Sequence, residues 1–333
     1  MSEETNKVDG VFEGGGVKGI GLVGAVSVTE ERGYRFENVA GTSAGAIVAS
    51  FIAAGYQAGE MKEILDTLDY TQFKDEDTVD KIPLIGPALS LGFEKGIYEG
   101  DFFENWLRDH LARKGVHTFS DLVIDEYKDE PKYRYRLQVI ASDISRGRLL
   151  VLPGDIEDYG IPPDELDVAR AVRMSMSIPF FFEPVALKHG SGKTSYIVDG
   201  GLLSNFPVWI FDEDVPDPPW PTFGYKLVEP DEKRPHVIRG PFTLLAALFS
   251  TMMEAHDARY IDDHAFARTV PIPTGGVRTT DFDISEDNRR MLFESGRTAA
   301  REFLDQWDFA AYKANFRAKE PVGRRARIWG KAK

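Results

Sequence analysis

The chain carries the sequence Gly41-Thr42-Ser43-Ala44-Gly45 between a short apolar run, Val39-Ala40, and the small-residue segment 46–54. Glycines two positions on either side of a serine are typical of a strand that turns sharply into a helix. Because glycine has no Cβ, it leaves room beside the turn, and the serine projects from it. Ser43 is therefore a candidate nucleophile. The alternative is an ordinary tight turn in which Ser43 caps the helix.

A second glycine-rich stretch lies near the amino terminus. Val8 to Phe12 is typical of a short buried strand, and the glycine-rich residues 14–21 follow it directly. A helix of small and aliphatic residues comes next and ends near Gly33, so strand, loop and helix form the first half of a βαβ unit. Successive N–H groups beside a helix N-terminus favour negative charge. The loop is therefore expected to bind an anion.

Two of the three anion-binding interpretations involve a nucleotide. A phosphate-binding loop needs a lysine followed by serine or threonine, but Lys18 is followed by Gly19, which excludes it. Gly14-x-Gly16-x-x-Gly19 does match the dinucleotide fingerprint, and Glu37 lies near the position of the ribose-binding acid. Against a dinucleotide site, the chain continues past Glu37 into the serine turn instead of ending its strand at the acid.

The third interpretation is an oxyanion hole. Backbone amides of the loop, from Gly14, Gly15 and Gly16 and with Val17 as a further donor, would stabilise the charged tetrahedral intermediate that forms when Ser43 attacks a carbonyl. The glycine loop and the serine turn would then face one another from adjacent strand ends.

A third motif follows a compact strand late in the chain. Tyr196 to Val198 leads into Asp199-Gly200-Gly201. An acid at the carboxyl end of a strand lies where open α/β sheets place their ligand crevice. The alternative is a turn, since Asp-Gly is a common turn pair. Together with Ser43 and the glycine loop, three strand-end motifs would converge on one crevice.

An attacking serine needs a proton acceptor within hydrogen-bond reach. His236, His256 and His264 follow Asp199, so a Ser-Asp-His triad is formally open, but each lies in a charged or acidic stretch typical of a surface. The other route is direct acceptance of the proton by Asp199. Desolvation would have to raise the pKa of its carboxyl group from about 3.9 toward the working range.

The composition narrows the class of protein. With 333 residues and 42% hydrophobic content, the chain can bury the core of one large α/β domain or two smaller ones. A net charge of −14 disfavours a nucleic-acid partner, and the absence of cysteine excludes disulfides and thiolate chemistry. The first seven residues lack the features of a signal peptide, and no apolar run reaches the roughly 18 residues of a membrane span, so we expect a cytoplasmic protein.

Apolar spacing and residue type predict the other elements. The predicted helices are 59–70, 99–114, 166–174 and 288–307, and the predicted strands are 133–143, 148–152 and 222–228, with 271–273 as edge structure. Prolines and aromatic residues predict an extended wall at 174–184. The region 74–94, apolar at 82–93, suits either a flap over an acyl-chain pocket or a packed loop, and 242–253 suits a buried or interfacial helix.

Taken together, the motifs resemble those of the patatin-like phospholipases. Residues 14–19 are similar to the oxyanion loop of that family, residues 41–45 to its nucleophile motif and residues 199–201 to its aspartate motif, while Ser177-Ile178-Pro179 resembles a fourth block. Order and spacing agree from residue 8 to 207, and the stretch to Trp307 is similar to the carboxyl part of bacterial members. The chain departs from the family at Lys18, where many members carry arginine, a planar and forked donor.

This resemblance implies a three-layer α/β/α sandwich with a mostly parallel central sheet. It also implies a dyad of Ser43 and Asp199 without histidine, an oxyanion loop at Gly14, Gly15 and Gly16, and no metal or other cofactor. The expected organisation is a single hydrolase domain at 8–310, with a motif-bearing core at 8–207 and a carboxyl part at 208–310. A basic tail at 311–333 is expected to be solvated, and headgroup contact at a membrane surface is its alternative role.

Three functions follow from these expectations. The first is a lipid acyl hydrolase that cleaves phospholipids or other acyl esters, in the cytoplasm or peripherally at a membrane. The second is a lipid-binding or effector-regulated protein that uses the same crevice with little turnover. The third is a dinucleotide enzyme.

Overall fold

The central sheet is built around β1 (Asn6–Phe12) and β2 (Tyr34–Thr42), the strands that precede the glycine loop and the serine turn. The two strands pair in parallel, with Phe12 opposite Gly41. The helix α1 (Gly19–Glu31) makes the crossover that a parallel pair requires. The two motifs therefore begin side by side at the carboxyl ends of these two strands, as the sequence predicts.

A computed structural model describes residues 6–68, 100–179, 181–189, 192–212, 217–229, 263–279, 281 and 283–317, with six single positions between 238 and 251. Eight strands within these ranges form one sheet in the order β5-β6-β3-β2-β1-β7-β8, with β4 paired to β3. The further strands are β3 (Leu137–Asp143), β4 (Arg148–Leu152), β5 (Val185–Lys188), β6 (Thr194–Asp199), β7 (Thr222–Val228) and β8 (Thr269–Pro273).

Strands β3, β2, β1, β7 and β8 are parallel neighbours, whereas β4 and β6 run antiparallel to β3. The predicted α/β class with a mostly parallel sheet is confirmed, as are the hairpin of β3 and β4 and the edge position of β8. The further helices are α2 (Ala44–Ala53), α3 (Ala58–Asp66), α4 (Asp101–Arg113), α5 (Val168–Ser175), α6 (Asp263–Phe266), α7 (Glu286–Gln306) and α8 (Phe309–Tyr312).

Alternate residues of β1 face two different cores, as the period of a strand requires. Val8 and Phe12 pack into the larger core, which includes α1, α2 and α7. Val11 packs into a smaller core on the opposite face of the sheet, with the 206–211 segment and Ala265 of α6. Packing on both faces gives the expected three layers. Among the helices that the structure describes, none is both long and apolar enough to cross a membrane.

Several predicted element boundaries were wrong: the strand predicted at 133–143 begins only at Leu137, and the helix predicted at 59–70 ends at Asp66. The helix predicted at 166–174 begins at Val168, because the side chain of Asp167 accepts the N–H of Arg170 and caps it, while 163–165 form a separate 3-10 turn. The extended wall predicted at 174–184 contains a turn, in which the N–H groups of Phe181 and Phe182 donate to the carbonyl of Ile178. Helix α5 therefore ends directly beside this turn.

The tail predicted from residue 311 begins with packed side chains. Tyr312 is 5% exposed and lies 5.3 Å from the ring of Trp307, and Arg317 pairs with Asp212 at 3.1 Å. These contacts exist because α8 folds the chain back onto the end of α7. The region 74–94 with its apolar part 82–93, most of 242–253, and the tail beyond residue 317 lie outside the described residues.

Helices α1 and α7 pack through glycine. A Cβ at Gly296 would lie 1.9 Å from the carbonyl oxygen of Gly21, so the two backbones are in direct contact there. We predict that Gly296→Ala lowers the free energy of unfolding by about 1–3 kcal/mol, because the helices must separate. Urea denaturation measures this loss.

Gly59 of α3 provides the matched control, since a Cβ there meets no atom within 4 Å. Gly59→Ala should raise the free energy of unfolding by up to about 1 kcal/mol, because alanine restricts the unfolded chain more than glycine does. Equal effects of the two substitutions would contradict the proposed packing of α1 on α7.

Candidate active site

Ser43 occupies the turn between β2 and α2 in a strained conformation. Its φ of 53° and ψ of −126° make it the one non-glycine residue with positive φ in the described part of the chain. The turn is tight, because a Cβ at Gly45 would lie 2.2 Å from the carbonyl oxygen of Phe12. Such strain, of about 1–3 kcal/mol, persists only where neighbouring contacts enforce it. The turn thus holds the Ser43 side chain at the N-terminus of α2.

Ser175, the last residue of α5, enforces this conformation. Its Oγ accepts the backbone N–H of Ser43 at 2.9 Å and donates to the carbonyl oxygen of Ile140 at 2.5 Å. All three residues are buried. One hydroxyl group therefore satisfies a donor of the turn and an acceptor of β3. Sequence reasoning missed Ser175, although it stands two residues before the Ser177-Ile178-Pro179 block.

Asp199 lies beside Ser43 through the register of the sheet. Thr42 is opposite Ile140 of β3, and Asp199 is opposite the next residue, Ala141. The carboxylate Oδ1 accepts the N–H of Gly201 at 2.7 Å, and Oδ2 has no hydrogen-bond partner among the described residues. The structure thus brings the two predicted residues together, although 156 positions separate them in the sequence.

The Asp199 carboxyl group is fully buried, and burial raises its pKa to about 7. The neighbouring Ser43 hydroxyl and the Gly201 N–H act in the opposite direction and lower this pKa. No Ser43–Asp199 hydrogen bond of ordinary geometry is present among the described residues, since the Ser43 hydroxyl faces the sulfur of Met176 at 3.6 Å.

The glycine loop packs directly against the serine turn. A Cβ at Gly14 would lie 3.1 Å from Cβ of Ser43, which shows how closely the two motifs approach. Gly16 has a φ of 55°, and a Cβ there would lie 2.1 Å from the carbonyl oxygen of Thr279. The N–H groups of Gly15 and Gly16 have no acceptor in the described ranges. These two amides are therefore available to an anion.

Two other amides of the loop are already paired. The N–H of Gly14 donates to the carbonyl oxygen of Asn205 at 3.2 Å, and the N–H of Val17 donates to that of Thr279 at 3.3 Å. The Asn205 side chain returns a bond of 3.1 Å to the carbonyl of Gly14. Of the three glycines predicted as oxyanion donors, Gly14 thus serves to fix the loop. Sequence reasoning missed Asn205, which closely follows the aspartate motif.

Lys18 anchors the same loop through an ion pair. Its side chain is 6% exposed, and its ammonium group lies 2.9 Å from the carboxylate of Glu229, just beyond β7. Glu13, on the other side of the loop, pairs with Lys226 at 2.6 Å. The lysine that departs from the family's usual arginine therefore still connects the loop to the sheet.

An apolar crevice extends from the glycine loop along α2. Its lining consists of glycine, aliphatic, methionine and phenylalanine side chains: Gly16, Val17, Gly19, Ala44, Ile47, Val48, Leu65, Leu68, Met176, Ile178 and Phe182. Ser43 is 1% exposed beside it. A substrate therefore reaches the hydroxyl group only after neighbouring side chains move.

Arg173 supports the segment that closes this crevice. The guanidinium donates to the Ser177 hydroxyl at 2.5 Å and to the carbonyl of Glu183 at 3.1 Å. The backbone carbonyl of Ser177 in turn accepts the N–H of Asp199 at 2.9 Å. Burial lowers the pKa of Arg173 to about 10. A buried cation thus positions both the crevice wall and the aspartate.

The competing interpretations find less support in the geometry. His264 shares a hydrogen bond of 2.7 Å with Tyr312, while His236 and His256 lie outside the described residues. Glu37 lies within β2, five residues before its end, and pairs with Lys7 at 3.4 Å. Within the described ranges, no group of three histidine, aspartate or glutamate side chains could hold a metal ion.

Comparison with known proteins assigns the family. Residues 10–212 match the sequence profile of the family described as patatin-like phospholipase. This match covers more than half of the chain and includes the glycine loop, the serine turn and the aspartate motif. The chain belongs to the patatin-like phospholipase family.

The chain is also similar to individual proteins. The chain is 43% identical over 304 residues to the uncharacterized protein YqhO of Bacillus subtilis, covering 91% of this chain and 99% of that protein. It is 22% identical over 213 residues to the probable lipid hydrolase 463L of Invertebrate iridescent virus 6, covering 60% and 61%. Among solved structures, VipD from Legionella pneumophila superposes with a TM-score of 0.53 at 17% identity, covering 91% of this chain and 67% of VipD. The last likeness shows the fold.

The bond between Ser175 and Ser43 yields a stability prediction. Ser175→Ala leaves a buried N–H and a buried carbonyl oxygen without that partner, so the free energy of unfolding should fall by about 1–3 kcal/mol in guanidinium denaturation. Ser50→Ala is the matched control, because the Ser50 hydroxyl donates to Ile47 within its own helix. Ser50→Ala should lower the free energy of unfolding by less than about 1 kcal/mol. A Ser175 variant as stable as the Ser50 variant would contradict the assigned role.

Proposed function

We propose that the protein is a serine lipid acyl hydrolase acting through a dyad of Ser43 and Asp199. The observation that carries this proposal is a fully buried carboxylate, with its pKa raised to about 7 by burial and one oxygen unpartnered in the described structure, beside a serine held on a strained turn. Membership of the patatin-like phospholipase family and the similarity to a probable lipid hydrolase support the reaction class.

In the first half of the reaction, the Ser43 oxygen attacks the carbonyl carbon of the ester while its proton passes to Oδ2 of Asp199. The carbonyl oxygen becomes an anion, which the N–H groups of Gly15 and Gly16 and the N-terminus of α2 stabilise. The carbon–oxygen bond to the alcohol then breaks, and the alcohol leaves with the proton held by Asp199. The product of this half is an acyl ester on Ser43.

In the second half, Asp199 accepts a proton from water, and the resulting hydroxide attacks the acyl carbon. The same amides hold the second oxyanion, and the bond to Ser43 breaks as the serine oxygen takes the proton back from Asp199. The fatty acid leaves as the second product. A single carboxylate with a pKa near neutrality suits both proton transfers, because it accepts and releases a proton near the working pH.

The apolar crevice holds only about 20 Å³ of accessible space in this conformation, so a fatty acyl chain would enter it after its side chains move apart. Its lining is aliphatic, methionine and phenylalanine side chains. Transfer of an acyl chain from water into such an apolar environment is favourable. Gly16 and Ala44 lie at the Ser43 end of the crevice, so an acyl group in it would have its ester carbonyl near the hydroxyl group. A phospholipid or another acyl-ester lipid is therefore the proposed substrate class.

The second candidate function is lipid binding, or regulation by an effector, with little turnover. One observation favours it: Ser43 is 1% exposed and its hydroxyl faces Met176, so the site is closed to an ester in this conformation. A partner or a membrane surface would then be needed to open it. Turnover of a small soluble ester distinguishes the two functions, because such an ester needs less opening than a lipid.

Replacement of the nucleophile tests the first function. Ser43→Ala should lower the hydrolysis of a short-chain nitrophenyl ester by at least about 10³-fold, because it removes the hydroxyl group that forms the proposed acyl intermediate. A fluorophosphonate should label the wild-type protein on the peptide that contains Ser43 and should fail to label the variant.

Ser204→Ala is the matched control for this experiment, since Ser204 is a neighbouring serine whose carbonyl, not its hydroxyl, accepts a bond from Thr42. The Ser204→Ala variant should hydrolyse the ester and react with the fluorophosphonate as the wild-type protein does. Undiminished esterase activity in Ser43→Ala would refute the dyad, and labelling without turnover in the wild type would favour the lipid-binding function.

The pKa of Asp199 gives a pH prediction. Since the carboxylate is the base, kcat/KM should increase about tenfold per pH unit below an inflection near pH 7 and level off above it. Asp199→Asn should lower kcat/KM by at least about 10³-fold, whereas His264→Ala should leave it unchanged.

Asp9 is a control of the same chemical type, because burial raises its pKa to about 7 as well. It lies five residues before Gly14, so Asp9→Asn should preserve the inflection. A flat pH profile in the wild type, or loss of the inflection in Asp9→Asn, would show that Asp199 is not the titrating base.

A further inference from the structure

A second cavity, of about 360 Å³, lies toward the opposite end of the sheet from Ser43. Asp9 of β1 forms part of its wall and lies three residues before Phe12, the last residue of that strand, which at a strand's rise corresponds to about 10 Å. Asp9 faces the smaller core, as Val11 does. This volume is within the range of small-molecule sites, and the reaction proposed at Ser43 makes no use of it.

Five aromatic side chains line this cavity, namely Tyr127, Tyr133, Phe211, Trp220 and Tyr312. The ring centroid of Tyr127 lies 6.1 Å from that of Tyr133 and 6.3 Å from that of Trp220, with interplanar angles of 59° and 53°. Because these rings are inclined to one another, their faces can contact one ligand in the cavity from different sides. The negative face of an aromatic ring attracts cations, and such boxes of rings recognise quaternary ammonium groups.

Carboxylates line the same cavity. Glu126 and Glu130 belong to its wall and are exposed at its mouth, while Asp9 is 3% exposed and accepts the N–H of Asn38 at 3.1 Å. Burial, followed by the charges of nearby glutamates that include Glu126 and Glu130, raises the pKa of Tyr127 to about 12. Three acidic side chains therefore stand beside the rings in the cavity wall, against the one guanidinium of Arg317.

The rings already attract cations of the chain itself. The ammonium group of Lys7 lies 5.0 Å from the centroid of Trp220, and that of Lys132 lies 5.4 Å from the centroid of Tyr133. Neither lysine belongs to the cavity wall. Arg317 does belong to it, but its guanidinium pairs with Asp212 at 3.1 Å. Tyr127, Tyr133 and Trp220 are each partly exposed, so part of their surface is accessible from the cavity.

We propose that this cavity is a binding site for a small alkylammonium cation, held by the rings of Tyr127, Tyr133 and Trp220 and by the carboxylates of Glu126 and Glu130. The rings supply the cation–π attraction, and the two glutamates balance the charge of the ligand at the mouth. The site is independent of the chemistry at Ser43, because it is built from other strands and loops and lies toward the other end of β1.

Calorimetry with choline and with its uncharged isostere 3,3-dimethylbutan-1-ol tests the proposal. The two probes have nearly the same shape and differ in the positive charge. Choline should bind the full-length protein at one site, and the isostere should bind at least about 10-fold more weakly, because a neutral group gains no cation–π attraction. Equal affinities for the two probes, or no binding of choline, would overturn the proposal.

Variants locate the site. Glu126→Gln combined with Glu130→Gln keeps the shape of the wall and should weaken choline binding about 10-fold, whereas the exposed Glu165→Gln should not change it. Trp220→Leu should also weaken it, and circular dichroism checks that this variant is folded. Ser43→Ala should bind choline as the wild type does, so failure of the proposed hydrolase activity would leave this test intact. Choline binding that the paired glutamine substitutions do not affect would place the cation elsewhere and refute the assignment.

Discussion

The hydrogen bond from the backbone N–H of Ser43 to the Ser175 hydroxyl ties the strained turn to helix α5. The positive φ of Ser43 is unfavourable by about 1–3 kcal/mol, so the turn depends on contacts that leave it no alternative. Ser175 lies at the end of α5 and also bonds to Ile140 of β3. The position of the hydroxyl group therefore depends on a helix more than 120 residues further along the chain.

Burial without a counterion gives Asp199 its chemical character. The groups that lower the pKa of this carboxyl are the Ser43 hydroxyl and the Gly201 N–H, both uncharged, and burial outweighs them. An adjacent lysine or arginine would stabilise the carboxylate and weaken it as a base. The cation of Arg173 supports Asp199 only indirectly: it donates to the Ser177 hydroxyl, and the backbone carbonyl of Ser177 accepts the N–H of Asp199.

The sequence predicts those features of the site that depend on local backbone requirements. The turn at Ser43, the loop at 14–19 and the strand end at Asp199 each need glycine at fixed positions, so their signals are short and readable. The parallel pairing of β1 and β2 follows from the intervening helix. Fold class and family were predictable for the same reason.

The contacts that fix the motifs relative to one another were not predictable. Ser175, Asn205 and Glu229 act on residues far away in the sequence, and a serine, an asparagine or a glutamate carries no local pattern that reveals its partner. The pairing of the Gly14 amide with Asn205 shows the same limit: the loop is recognisable, but which of its N–H groups are used up depends on tertiary packing. The start of α5 was wrong because Asp167, rather than the acids before it, caps the helix.

The ion pair of Lys18 with Glu229 has a consequence for the boundaries of the folding unit. The family match ends at residue 212, yet β7 at Thr222–Val228 covers the open side of β1 and carries this glutamate just after it. A fragment cut at residue 212 would expose a row of unpaired backbone groups along β1. It would also leave the buried ammonium group of Lys18 without its counter-charge. Strand β7 and Glu229, which lie beyond the residues that match the family profile, are thus required for the structure of the matched residues.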